Sequence, residues 1–224
     1  MSKQILFVTG SDTGVGKTVF AAALTRRLRE RGRSAAALKP LCSGGREDAR
    51  ILRAVAGNNL TLDEINPWHF RAPIAPSLAA RKENKRVTLP QVAKHIRGFK
   101  KQFEILVVEG AGGLLSPLGE SFDSRDLLIE LNALPIVVCA NRLGAINQVL
   151  LVLEALPKKY LKRSQVVLMS PQKFDKATLQ NFEALQKFVD GGQLHKFPWL
   201  KGFPVHKNVL ADRAVDDLVS KLFL

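Results

Sequence analysis

Ten residues near the start of the chain, Thr9-Gly10-Ser11-Asp12-Thr13-Gly14-Val15-Gly16-Lys17-Thr18, follow an apolar run, Ile5-Leu6-Phe7-Val8. They precede a helical pattern from Val19 to Arg31. Strand, glycine-rich loop, Gly-Lys-Thr and helix, in that order, is the context in which such a loop cradles phosphate. Glycines let the backbone curl so that successive N–H groups point at phosphate oxygens. The helix N-terminus adds partial positive charge and free donors. The reading assigns nucleotide phosphates to Gly14, Val15, Gly16, Lys17 and Thr18. Lys17 reaches the β/γ-phosphates and Thr18 offers its hydroxyl to Mg²⁺. Between Gly10 and Gly16 the loop has one residue more than the common form.

Apolar runs alternate with helical patterns along the rest of the chain. This predicts an α/β fold with a mostly parallel central sheet and helices on both faces. Strands are predicted at about 4–9, 34–39, 104–109, 135–140, 164–169 and 193–197. Helices are predicted at about 17–31, 46–56, 89–102, 124–132, 145–157, 175–189 and 208–222. Thr88-Leu89-Pro90-Gln91 reads as a capping box with proline in the first turn. Residues 58–87, with Pro67, Pro73 and Pro76, form the longest irregular stretch, and such length suggests a functional loop. The 224 residues suit a single P-loop domain spanning 1–224, with 46% hydrophobic residues to fill its core.

No apolar run is long enough to cross a membrane. Met1-Ser2-Lys3-Gln4 leads into a strand without the features of a signal peptide. Cys42 and Cys139 make no disulfide framework. The expectation is a cytoplasmic protein. The net charge of +14 suits a polyanion. Its carriers are scattered, however: Arg26, Arg27, Arg29, Arg31 and Arg33, then Lys82, Lys85 and Arg86, then Lys158, Lys159, Lys162 and Arg163. Aromatic residues do not interleave with them as a base-stacking platform requires, so neither nucleic acid nor membrane is the expected partner.

Three more clusters stand where parallel strands end, which is where ligands bind in open α/β sheets. They are Lys39-Pro40-Leu41-Cys42-Ser43-Gly44-Gly45, Val107-Val108-Glu109-Gly110-Ala111-Gly112-Gly113 and Asn141-Arg142-Leu143-Gly144-Ala145-Ile146-Asn147. Taken alone, Lys39 is as easily a snorkelling surface residue. Glu109 alone could be a satisfied acid near a turn. Together with Thr9 to Thr18 and with Pro198-Trp199-Leu200, these blocks resemble the dethiobiotin synthetase family in order and nearly over the whole chain. The resemblance implies a ligase that uses ATP, CO₂ and 7,8-diaminononanoate. CO₂ adds to one amine, the carbamate takes the γ-phosphoryl group, and the second amine closes the cyclic urea.

The resemblance also implies roles. Lys17 and Lys39 surround carbamate and γ-phosphate with charge, and Thr13 and Ser43 add hydrogen bonds. Thr18, Asp48 and Glu109 hold Mg²⁺, with helix capping as the other reading of Asp48 and Glu47 as the alternative ligand. Ser43 and Gly112 touch the substrate. Gly144, Ala145, Ile146 and Asn147 hold its carboxylate from the neighbouring subunit of a homodimer with shared sites. Ser170, Pro198, Trp199 and Leu200 lie by the base. Ser170 stands where the family often has an adenine-reading Asn, which predicts weak base preference. His195 reads as a strand-edge residue. The competing readings are a partition-type switch ATPase, disfavoured by Asp12 where such loops carry Lys, and a degenerate nucleotide binder. The apolar positions of the last helix, Val209, Leu210, Val215, Leu218, Val219 and Leu222, predict packing on the sheet.

Overall fold

The computed structural model describes residues 3–57, 60–201 and 208–222. Its frame is a six-stranded sheet of β1 (Gln4–Gly10), β2 (Ala35–Leu38), β3 (Ile105–Glu109), β4 (Leu134–Ala140), β5 (Gln165–Met169) and β6 (Leu194–Phe197). The strands lie in the order β6-β5-β4-β1-β3-β2, and every pairing is parallel. Each matches a predicted span to within a residue or so. Ile5 to Gly10 are all buried. Successive side chains point to opposite faces, so complete burial means that both faces are covered.

The chain builds first toward β2 and then returns past β1 to β4. Loops leaving β1 and β3 therefore flank the point where the sheet order reverses, and this opens a crevice at their carboxyl ends. The helix Lys17–Glu30 follows β1 and buries Phe20, Leu24 and Leu28, spaced by one turn. It ends at Gly32, whose φ of 77° is left-handed. There the Arg33 N–H donates to Leu28 O at 3.0 Å, closing the last turn.

Residues 60–87 are less irregular than the sequence expectation. Among the described residues they hold the helices Leu62–Ile65 and Pro76–Lys82 and the strand Trp68–Phe70. That strand pairs in parallel with a short strand, Leu41–Ser43, that also escaped prediction. Three-residue strands carry no usable periodicity, so pattern alone misses them. The predicted helix 89–102 stops at Gly98 and continues as a 3₁₀ turn, Phe99–Lys101. Its Gln91 side chain accepts from the Thr88 N–H at 3.0 Å, as the capping sequence predicts. His195 is buried in the edge strand between Gln165 and Asp217, at 2.7 and 3.0 Å, a structural role.

The last helix, Val209–Leu222, packs on β6 and on Lys17–Glu30. Val215, Leu218, Val219 and Leu222 are buried as expected, whereas Val209 and Leu210 are exposed. It also absorbs part of the excess charge. Arg27 grips Asp216 through two bonds of 2.8 and 2.7 Å, Arg31 reaches the same carboxylate, and Arg26 pairs with Asp212. Partly exposed ion pairs contribute at most about 1 kcal/mol each. A fully buried leucine contributes more. Leu218→Ala is therefore expected to lower unfolding free energy by about 2–5 kcal/mol. Asp216→Asn should cost about 1 kcal/mol or less, fading in high salt. Urea denaturation at low and at molar salt checks both; an Asp216→Asn loss equal to that of Leu218→Ala would reverse the ranking.

Candidate functional site

The loop after β1 is closed on itself. The Ser11 N–H donates to Val138 O on β4 at 3.0 Å. Asp12 Oδ1 accepts from the Thr13 N–H at 2.7 Å, and Asp12 O accepts from Lys17 Nζ at 2.7 Å. Gly14 and Gly16 have φ of 72° and 100°, which a side chain would strain. A Cβ on Gly10 would sit 2.8 Å from Val15 Cγ2 and 3.1 Å from Lys17 Nζ, so only glycine fits there. Val15 itself is buried beneath the loop, leaving its backbone alone to face a ligand.

Glu109 ends β3, which lies between β1 and β2. Its Oε1 accepts from Thr18 Oγ1 on one side at 2.8 Å and from Lys39 Nζ on the other at 2.6 Å. Lys39 Nζ also lies 2.9 Å from Asp48 Oδ2. Glu109 is 1% exposed and Lys39 4%, so Lys39 is no snorkelling surface residue. Burial alone would lower the Lys39 pKa, but the Glu109 and Asp48 charges override it and raise it above the ordinary lysine value. Burial raises the Asp48 carboxyl, and the Lys39 charge outweighs it, holding the group below its usual value. Lys17 differs. Burial, then the neighbouring Lys39 charge, push its ammonium down to about 8.

Asp48 sits in the first turn of the helix Glu47–Val55 and turns to Lys39. The helix start, Arg46, has no side-chain cap, so the capping reading of Asp48 does not hold. Glu47 pairs instead with Arg50 at 2.9 Å. Glu109 Oε2 is buried without a hydrogen-bond partner. The Thr18 hydroxyl and two carboxylates, one of them with an orphaned oxygen, are a donor set that fits a hard cation. Among the described residues no three His, Cys, Asp or Glu gather as a metal centre, so such a cation would need further oxygens from its ligand.

These groups line a cleft of about 840 Å³ that brings together Thr13, Gly14, Gly16, Lys17, Thr18, Lys39, Ser43, Asp48, Glu109 and Gly112. Gly112 has a φ of 69°, and a Cβ there would lie 3.9 Å from Thr13 Oγ1, so the two loops face each other. The opposite wall comes largely from the stretch 58–87, whose length suggested a functional loop, but its apolar face toward the phosphate loop was not foreseen. Ile51, Pro73, Ile74, Ala75 and Pro76 give the cleft an apolar side. Two prolines, Pro73 and Pro76, bracketing the apolar Ile74 and Ala75 were the available signal. Gly44, with φ of 86°, lets Pro73 approach: a Cβ would meet Pro73 Cβ at 3.0 Å.

Other predicted residues lie apart from this cleft. The Ser170 N–H donates to Phe197 O at 2.8 Å, which ties Ser170 to the segment of Pro198, Trp199 and Leu200. Met169 packs on the phosphate loop, since a Cβ on Gly16 would meet its Cε at 2.9 Å. Gly144, with φ of 90°, starts the helix Ala145–Ala155, which also carries Ile146 and Asn147. These four residues do not line the cleft of their own chain. Ala145 is fully buried and its N–H donates to Arg142 O at 3.0 Å, so it offers a carboxylate nothing, contrary to the sequence reading. Asn141 is a buried brace, bonded to Thr178 O and Asn181.

Comparison with known proteins agrees with this arrangement. The family described as AAA domain matches residues 4–203. The chain is 36% identical to the ATP-dependent dethiobiotin synthetase BioD of Akkermansia muciniphila, over 82% of this chain and 86% of that protein. It is 34% identical to the ATP-dependent dethiobiotin synthetase BioD of Aromatoleum aromaticum, over 88% and 91% respectively. The chain belongs to the dethiobiotin synthetase family. A ParA family ATPase from Chlorobium tepidum shares the fold, with a TM-score of 0.59 at 14% identity over 97% of this chain and 98% of that one.

The buried pair at the centre of this family member makes a thermodynamic prediction. Lys39→Met leaves the Glu109 carboxylate without its cation, which should cost about 3–5 kcal/mol. Adding Glu109→Gln removes the stranded charge and should recover much of that loss. Chemical denaturation of the two single variants and the double variant gives the coupling. Equal, additive losses would mean the pair is not coupled.

Proposed function

We propose that the chain closes the cyclic urea of dethiobiotin from 7,8-diaminononanoate and CO₂, with ATP converted to ADP and phosphate. The observation that carries this reading is the pair of buried lysines, Lys17 and Lys39, beside Glu109 and Asp48 in one cleft with an apolar wall. The phosphate loop takes the triphosphate at the N-terminus of Lys17–Glu30. The diamine end lies by Lys39, Thr13 and Ser43, and its methylene chain runs along Pro73 and Ile74. CO₂ bonds to one amine, which loses a proton, giving a carbamate. A carbamate oxygen attacks the γ-phosphorus and ADP leaves. The second amine then attacks the carbonyl carbon, loses a proton, and phosphate leaves. Charge gathers on phosphoryl and carbamate oxygens, so fixed ammonium groups are the main help a protein can give. Thr18, Asp48 and Glu109 would hold Mg²⁺, which when bound neutralises phosphate charge.

The test is phosphate release with each substrate omitted in turn. Phosphate is expected only when ATP, diamine and bicarbonate are all present. Lys39→Gln keeps an amide donor toward Glu109 but removes the charge, and is expected to lower kcat about 10²–10³-fold. Release without the diamine would favour a simple ATPase, and unchanged turnover in Lys39→Gln would remove that residue from the reaction.

The substrate carboxylate belongs to a second copy of the chain. Leu143, Asn147 and Leu151 are exposed, Leu143 at 84% and Leu151 at 61%. Asn147 and Leu151, four apart, share one face of the helix Ala145–Ala155, and Leu143 lies in the loop just before its start. Apolar groups on one exposed face support a partner interface, and a C₂ dimer would set two such faces at two equivalent sites. Asn147→Glu puts like charge near the carboxylate. It is expected to raise the diaminononanoate KM about tenfold or more while leaving ATP KM within about twofold. A monomer by light scattering at assay concentration, fully active, would sink the shared site.

A further inference from the structure

Asn66 has no place in the chemistry above, yet it is fully buried and its amide is fully used. It follows the helix Leu62–Ile65. Its Nδ2 donates to Lys39 O at 2.7 Å, and its Oδ1 accepts from Arg46 Nε at 3.1 Å and from Cys42 Sγ at 3.1 Å. The Lys39 N–H donates to Ile65 O, the residue before Asn66, at 3.0 Å. Both backbone groups of Lys39 are thus held by one two-residue step. The amide orientation has a single solution, because turning it over would set a donor against the guanidinium and an acceptor against the Lys39 carbonyl.

Arg46 completes the frame. It stands at the start of the helix that carries Asp48. Its guanidinium donates to Leu62 O and Asn66 O, both at 2.9 Å, and to Asp63 at 2.7 Å. Cys42 Sγ lies 3.0 Å from Gly45 O and 3.1 Å from Asn66 Oδ1, and its single proton is shared between these two acceptors in the turn between Lys39 and Asp48. One buried amide therefore joins the strand end bearing Lys39, the glycine turn after it, and the helix start bearing Asp48. Lys39 and Asp48 meet at 2.9 Å only because these three pieces keep register.

We infer that Asn66, acting with Arg46, is a positioning residue for the phosphoryl-transfer step: it sets where the Lys39 ammonium stands against Glu109 and Asp48. The inference rests on the role proposed for Lys39. A displacement of about 1 Å at such a group costs on the order of 10²-fold in rate. The phosphate loop makes none of these contacts, so nucleotide affinity should be spared.

Asn66→Asp tests it. Aspartate keeps an acceptor for Arg46 and Cys42 but replaces the donor to Lys39 O with a second acceptor. Folded protein, verified by circular dichroism, is expected to show kcat down about 10–100-fold with ATP KM within about threefold. The decisive readout is a cycle with Lys39→Gln. If Asn66 works through Lys39, then Asn66→Asp in the Lys39→Gln background should cause no further loss. A merely structural residue would lose the same factor in both backgrounds, and that additivity would overturn the inference. So would turnover of Asn66→Asp within threefold of the parent. Arg46→Lys is measured in the same cycle, with the same expectation, and it decides the matter should Asn66→Asp fail to fold. Normal turnover of Lys39→Gln alone would instead strike at the proposed reaction, a separate result.

Discussion

One carboxylate organises the site. Glu109 ends the strand that lies between those feeding Lys39 and the phosphate loop. From there it reaches Thr18 on one side and Lys39 on the other. An isolated buried carboxylate would be neutralised or expelled, since removing it from water costs several kcal/mol. Lys39 at 2.6 Å prevents that, and Asp48 helps keep Lys39 charged in turn. Each charge is tolerable because of the others. The three strand ends cannot shift independently, so the parallel sheet becomes a rigid mount for a chemical group that would otherwise be unaffordable at 1% exposure.

The frame of the fold was legible because its signals are long. Six apolar strands and the helices between them each fill enough residues for period and burial to coincide, as in Ile5 to Gly10 and Phe20-Leu24-Leu28. The phosphate loop was legible because glycine, lysine and threonine each answer a separate physical need at fixed spacing. Lys39 and Glu109 were located as strand-end residues, but nothing in the string says that one contacts the other. That fact depends on β3 inserting between β1 and β2, a matter of strand order. The short parallel pair Leu41–Ser43 and Trp68–Phe70 was illegible for the opposite reason: it is held by neighbours and not by its own pattern. Length and prolines marked the stretch that holds the apolar wall from Pro73 to Pro76, but not that it would face the phosphate loop.

Two residues show how burial corrects a motif. Ala145 lies inside a block that matches the family, yet its methyl group is buried and its N–H is occupied. The motif there specifies a helix start, and Asn147, two residues on, is what the surface presents. Val209 and Leu210 fit the apolar spacing of the last helix but begin before it has docked, and they remain exposed. Periodicity identifies a helix and its buried stripe. It does not say where along the helix contact with the sheet begins.

The contrast between the two lysines follows from how each is paired. Lys39 has two carboxylates within 2.9 Å and is held charged. Lys17 donates to a neutral carbonyl, Asp12 O; burial first, and then the Lys39 charge, bring its pKa down to about 8. Its folded-state value lies below the ordinary lysine value of 10.5, so the folded protein binds fewer protons between the two. The charged Lys17 then costs stability below about pH 8, and that cost is relieved as pH rises toward 10.5. The Glu109, Asp48 and Asp12 charges offset this only in part. A polyphosphate beside Lys17 would add negative charge and favour its proton, whereas an uncharged molecule of similar shape would not.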